Sequence, residues 1–137
     1  MRSTDNKVQY APKSKQPEQA LLDAAQSVQS VIRVLEGRWK LVILFQLFGA
    51  KIRRFSELER AIPGVSQKML IQQLRQLEAD GVVTRIVYAE VPPRVEYHLT
   101  EWGQTLCPVL DRLLTWAEAA PEEVRKRLIH PARPLPR

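Results

Sequence analysis

The chain has 137 residues, 45% of them apolar and 26% charged, a composition that suits one globular core of ordinary size and hardly two. Its longest apolar run, around "LVILF", is far too short to span a bilayer, the N-terminus lacks the apolar stretch of a secretory signal, and the lone cysteine, Cys107, excludes an internal disulfide framework and a cysteine-rich zinc site. The net charge of +6 invites a nucleic-acid reading, but it sits at the ends. Arg2, Lys7, Lys13 and Lys15 outweigh Asp5 in residues 1–17, five basic residues outweigh Glu122 and Glu123 in 121–137, and the stretch between is neutral. The expected organisation is a disordered basic tail over 1–17, a folded domain over 18–120, and a short helix with a Pro/Arg-rich tail over 121–137.

From Glu18 the apolar residues Leu21, Ala25, Val28, Ile32 and Leu35 recur at helical spacing until Gly37 supplies a stop, which predicts a first helix. "RWKLVILFQLFG" predicts a second, apolar nearly all round and so expected at the centre of the core. In "RFSELERAIPG", Ser56 is placed to cap a short third helix and Glu59 to complete a capping box, before Pro63 and Gly64 end it. Ser66 is placed to cap a fourth, whose Leu70, Leu74 and Leu77 form a buried stripe and which Gly81 stops. The period then switches to alternation: "VVTRIVY" and "VEYHL", separated by "AEVPPR", predict a hairpin with a proline-stiffened loop. Thr100 is expected to cap one last long helix with Trp102, Leu106, Val109, Leu110, Leu113 and Ala117 on a shared face, bent where Pro108 removes a hydrogen bond. "PEEVRKRLIH" adds a final turn or two from Pro121.

Two helices joined by "PGV", then a two-stranded hairpin and a helix, give the order of a helix-turn-helix with a wing: a mainly α fold with a small β-hairpin (α+β). With Leu70, Leu74 and Leu77 turned inward, a rotation of about 100° per residue puts Lys68, Gln72, Arg75 and Ala79 on the opposite side, flanked by Gln67 and Gln76. Arg and Lys donate to guanine edges or phosphates, Gln pairs with adenine, and Ala79 leaves room for close approach. The helix N-terminus at Ser66 suits a phosphate, Arg94 at the hairpin tip and Arg85 on the adjoining strand suit backbone or minor groove, and Arg53 and Arg54 add backbone contacts. A polar outer face is also what any surface helix has. The order of elements and the basic wing favour double-stranded DNA as the partner.

"GRWKLVILFQL", "RFSELERAIPGVSQKMLIQQLRQLEADGVV", "VPPRVEYHLTEWGQTL" and "LLTWAE" resemble, in order and spacing, the HxlR-type family of bacterial winged helix-turn-helix transcription regulators, part of the wider MarR-like group, over about residues 25–118. The resemblance implies that "SQKMLIQQLRQLE" is the recognition helix, with Gln67, Lys68, Gln72 and Arg75 facing DNA, that "VPPRVEY" forms the wing with Arg94, and that the first and last helices build a homodimer. Leu21, Val28, Trp102, Leu106, Val109, Leu113 and Trp116 are the expected interface, since those helices carry more apolar surface than one small core needs. Such a pair presents two recognition helices about 34 Å apart and favours a palindromic operator. By the same analogy the expected function is sequence-specific transcription regulation in the cytoplasm, associated with the nucleoid, as a repressor released by a small-molecule effector or stress signal. The alternative is a winged helix that docks proteins and not DNA.

Several members of that family sense oxidants through a cysteine near the N-terminus, a region that has none here. Cys107 precedes Pro108 in the last helix, where an apolar setting would suppress the reactive thiolate, so redox sensing through it is the lesser expectation. No enzymatic activity, cofactor or metal is expected: His98 and His130 have no nucleophile at a suggestive spacing, and no glycine-rich phosphate loop or metal-ligand pattern appears.

Overall fold

A computed structural model describes residues 17–128; residues 1–16 of the tail predicted over 1–17, and residues 129–137 of the segment predicted over 121–137, with His130, lie outside the described residues. The chain divides into two compact units, one ending at Leu35 and one beginning at Glu36. In the first, α1 (Pro17–Leu35) opens with Glu18 in its first turn and closes with Arg33 in its last, charges that complement the helix dipole. It leaves Leu21, Leu22, Val28, Val31 and Ile32 exposed.

The second unit begins with α2 (Lys40–Leu47) and continues through β1 (Arg53–Arg54), α3 (Phe55–Ala61), α4 (Gln67–Ala79), β2 (Val83–Tyr88), β3 (Arg94–Leu99), α5 (Glu101–Gln104), α6 (Leu106–Glu118) and α7 (Glu122–Leu128). Ile43, Leu44 and Leu47 of α2 are fully buried with Leu58, Ile62, Leu70, Leu74, Leu77, Val82 and Val83, a core that locks α2, α3, α4 and the first residue of β2 together. The expectation that α2 is buried all round holds for only one face, because Leu41 and Phe45, one turn apart, are exposed. Conversely, two polar residues among those described are buried: Lys40 at 6% exposure and Gln73 at 8%. Gln73 falls between Leu70 and Leu74 on the inward stripe, and its Oε1 has no hydrogen-bond partner.

The sheet has three strands in the order β1-β3-β2, all antiparallel, where the sequence predicted two. The added strand is the pair Arg53–Arg54, opposite Tyr97 and Glu96. This pairing moves the start of α3. Arg54 is extended and precedes the helix, and the Glu57 carboxylate accepts from the Arg54 N–H at 2.7 Å, so Ser56 lies inside the first turn and Glu59 completes no capping box.

The predicted single last helix is two. Thr100 caps α5 by accepting from Gly103 N–H at 2.9 Å; the chain breaks at Thr105, and α6 restarts at Leu106. Pro108 then falls in the first turn of α6, where a missing N–H costs nothing and no bend is required. Thr100 also ties α5 to the chain just beyond α4. Its backbone N–H donates to Val82 carbonyl oxygen at 3.0 Å and its hydroxyl to Gly81 carbonyl oxygen at 2.7 Å. Gly103 closes the same junction: a side-chain carbon there would fall 2.3 Å from the Val82 oxygen.

Candidate nucleic-acid interface

The turn of the helix-turn-helix, Ile62 to Ser66, starts when Ile62 N–H donates to Leu58 carbonyl oxygen and ends when the Ser66 hydroxyl accepts from Met69 N–H at 3.1 Å. Gly64 adopts φ +87° between them, a conformation that suits glycine. With α4 capped and its leucines buried, the helix presents two further stripes. Lys68, Gln72, Arg75 and Ala79 are exposed on the outer face, with Gln67 and Gln76 exposed at its flanks, as the residue spacing predicts. Gln67, Ile71, Arg75 and Glu78 line a cleft of about 410 Å³ against the sheet.

The register explains the other wall of that cleft. Arg85 pairs with Tyr97 and Val87 with Val95, so Arg85, Val95 and Tyr97 share the face turned toward α4, with Phe55 from the start of α3 beside them. Arg75 and Arg85 make no ion pair among the described residues.

Arg94, expected beside Pro92 and Pro93 at the wing tip, stands immediately after them. It is the first residue of β3, opposite Tyr88, and its guanidinium is held on three sides. Nη2 meets Glu90 at 3.0 Å, Nη1 meets Glu96 at 3.3 Å, and the plane lies 3.9 Å from the centre of the Tyr88 ring. The side chain is 28% exposed and Nε is buried. The tip itself is Glu90, Val91, Pro92 and Pro93, with Val91 fully exposed. Arg53 is half-buried and its Nε donates to Gln46 carbonyl oxygen at 3.3 Å, whereas Arg54 is exposed at the start of α3.

A family model described as HxlR-like helix-turn-helix matches residues 34–125, which run from the end of α1 into α7. The chain belongs to the HxlR-like helix-turn-helix family of transcription regulators. The HxlR-like relatives include the HTH-type transcriptional regulator YtcD of Bacillus subtilis, 54% identical over 90 residues, 66% of this chain and 71% of YtcD. The crystal structure of YtcD superposes with a TM-score of 0.62 at 52% identity, covering 66% of this chain and 92% of that one. The redox regulator HypR in its reduced form gives 0.66 at 40% identity over 73% of this chain and 98% of HypR. A MarR-family regulator from Enterococcus faecalis gives 0.67 at 32% identity over 87% and 97%.

Away from α4 and the hairpin, α6 sends only Leu110 into the core. Val109, Leu113 and Trp116, spaced at helical turns, are exposed, as is Trp102 on α5; Leu106 and Cys107 are half-buried. Leu21 and Val28 are exposed on α1. No helix among the described residues is long and apolar enough to cross a membrane.

Proposed function

We propose that this HxlR-like regulator binds double-stranded DNA sequence-specifically as a homodimer on a palindromic operator, acts as a repressor in the cytoplasm and on the nucleoid, and is released by a small-molecule or stress signal. The observation that carries the reading is the solvent face of α4, where Lys68, Gln72 and Arg75 stand on a helix fixed from behind by three fully buried leucines and in front by the Ser66 cap. A rigid helix with long donors on its outer face is what major-groove readout requires. Arg75 and Lys68 reach base edges or phosphates, Gln67 and Gln72 read bases, and the N-terminus at Ser66 approaches a phosphate. Arg85 and Arg54 contact the backbone. Arg53 and Arg94, whose guanidiniums are engaged within the protein, shape the sheet and wing. The exposed apolar stripe Val109, Leu113 and Trp116 supports the homodimer, with Trp102, Leu106, Leu21 and Val28 as further interface residues.

The test is fluorescence anisotropy against the DNA upstream of the chain's own gene and its neighbour, at two salt concentrations, for wild type and Lys68→Ala/Arg75→Ala. Tight binding that weakens with salt is expected, with the double variant losing affinity and its log–log salt slope falling by about 2 if both side chains meet phosphates. Equal binding of both proteins, and only at low salt, would refute readout by α4.

A further inference from the structure

From the start of α2, we infer that this regulator carries an oxyanion site of the phosphate class, held by Lys40 and the free N–H groups of the first turn, with Gln73 as a positioning residue behind Lys40. The anion is either a backbone phosphate of bound DNA or free phosphate; the first source rests on the DNA-binding reading above and the second does not. Helix α2 has eight residues, no side chain caps it, and its first turn holds no acid. Its first intrahelical bond runs from Ile43 N–H to the Trp39 carbonyl oxygen at 3.0 Å, so the N–H groups of Lys40, Leu41 and Val42 have no partner within the helix. Leu41 is exposed and Val42 half-buried, which leaves this turn open to solvent at the positive end of the helix dipole.

Lys40 is an unfavourable residue for that place unless an anion joins it. A cation opposes the positive end of a helix, and this one is only 6% exposed. Its ammonium has neither an ion-pair nor a hydrogen-bond partner among the described residues, yet it keeps contact with solvent. Because Cβ bonds tilt toward a helix N-terminus, the lysine carries its charge ahead of the first turn. Its Cδ and Cε lie 3.5 and 3.7 Å from the point where a side chain on Gly37 would begin, and Gln73 Oε1 lies 2.9 Å from the same point. Gly37 thus leaves open the space in which the lysine stem and the amide converge. Gln73 is 8% exposed and this oxygen is sealed and unpartnered. A turn about the last bonds of Lys40 gives one of its three N–H donors to Oε1 and directs the other two outward past the first turn. A carbonyl among leucines is destabilising unless paired, and fixing the ammonium is a use for it that packing does not supply.

The site lies beside α4. The ring of Trp39 comes within 3.7 Å of the side-chain position of Gly64, in the turn before α4, and Gln73 adjoins Gln72 of the outer face. Arg38 and Glu36, both exposed, offset each other at the rim, so Lys40 leaves one positive charge in excess. That suits a single phosphate at the margin of the groove that α4 is proposed to enter.

The experiment uses the full chain with inorganic phosphate, against potassium chloride at matched ionic strength, followed by amide chemical shifts. Binding of the upstream DNA is followed by anisotropy over a salt series. Phosphate is expected to shift the amides of Trp39, Lys40, Leu41 and Val42 with a Kd of about 1–10 mM. Lys40→Met should abolish these shifts and Lys40→Arg should retain them. Gln73→Leu should raise the thermal midpoint, since it removes the unpaired carbonyl, and still weaken phosphate by about fivefold, an opposition that a packing role does not produce. If DNA supplies the anion, Lys40→Met lowers the log–log salt slope of DNA binding by about 0.9, and saturating DNA prevents the phosphate shifts. If free phosphate is the ligand, that slope is unchanged and the shifts persist on DNA-bound protein. Shifts no larger than those with chloride, shifts elsewhere, or none at about 50 mM overturn the site. Unchanged phosphate affinity in Gln73→Leu overturns the positioning role. Wild-type protein that binds no DNA refutes the reading of α4 and leaves the phosphate titration standing, so the two failures are distinct.

Discussion

Replacing Arg94 by alanine separates two roles that a wing arginine can have. If the guanidinium serves inside the wing, its loss removes two ion pairs and the contact with Tyr88. The pairs are partly solvated, with side chains 28% exposed for Arg94, 51% for Glu90 and 15% for Glu96, so each contributes at the low end of about 0–1 kcal/mol. The stacking on Tyr88 adds about 0.5–1 kcal/mol, and the expected loss of folding stability is about 1–2 kcal/mol. The wing also changes charge. Arg94 with Glu90 and Glu96 carries −1, and without the arginine −2, on the part of the molecule proposed to approach phosphate. Two unit charges 4 Å apart in water interact by about 1 kcal/mol, so affinity for operator DNA should fall about fivefold or less. Glu90→Gln in the Arg94→Ala background returns the wing to −1 and should recover the affinity. The assay is an anisotropy titration over a salt series: the log–log slope should match wild type for both variants. A slope reduced by about 0.9, with no recovery on adding Glu90→Gln, would mean that Arg94 meets a phosphate and would refute the internal role.

Three other perturbations test the frame around the interface. Ser66→Ala removes the acceptor for Met69 N–H and should cost about 1 kcal/mol by denaturant titration, with Ser66→Asp near wild type. Gly103→Ala forces a carbon to within 2.3 Å of the Val82 oxygen, and should destabilise the second unit by more than about 2 kcal/mol, measured as a lower thermal midpoint. Leu113→Glu/Trp116→Glu places two charges on the exposed stripe of α6, whose side chains the core does not use. It should yield monomers by sedimentation at a concentration where wild type is dimeric and lower operator affinity by more than tenfold.

The leucine stripe of α4 was legible because helical period and burial coincide there, and the Ser66 cap because its acceptor acts locally. What escaped depends on contacts distant in sequence or on polar residues in apolar places. Strand β1 is two arginines long and exists only through pairing with Glu96 and Tyr97, so no window around residue 53 carries its signal. That same pairing shifted the start of α3 from the expected Ser56 cap to Arg54. Gln73 was open to inference, since it completes the i, i+3, i+4, i+7 pattern of Leu70, Leu74 and Leu77; its polarity hid it. At the interface, the outward residues of α4 followed from rotation alone. The ion pairs of Arg94 did not, because Glu90 and Glu96 become its partners only once the hairpin folds.

The double tie of Thr100 to Gly81 and Val82, with Gly103 pressed against the same carbonyl, leaves no slack between the end of α4 and the start of α5. Helices α4 and α5 are therefore tied to one short junction. One step further along, Thr105 interrupts the helix as the single residue between α5 and α6, its N–H and hydroxyl both donating to the Trp102 carbonyl oxygen. In the proposed homodimer, a change in how two α6 helices meet would reach the two α4 helices through that one joint, whose stiffness would set how far two half-sites can differ in separation and still be grasped together.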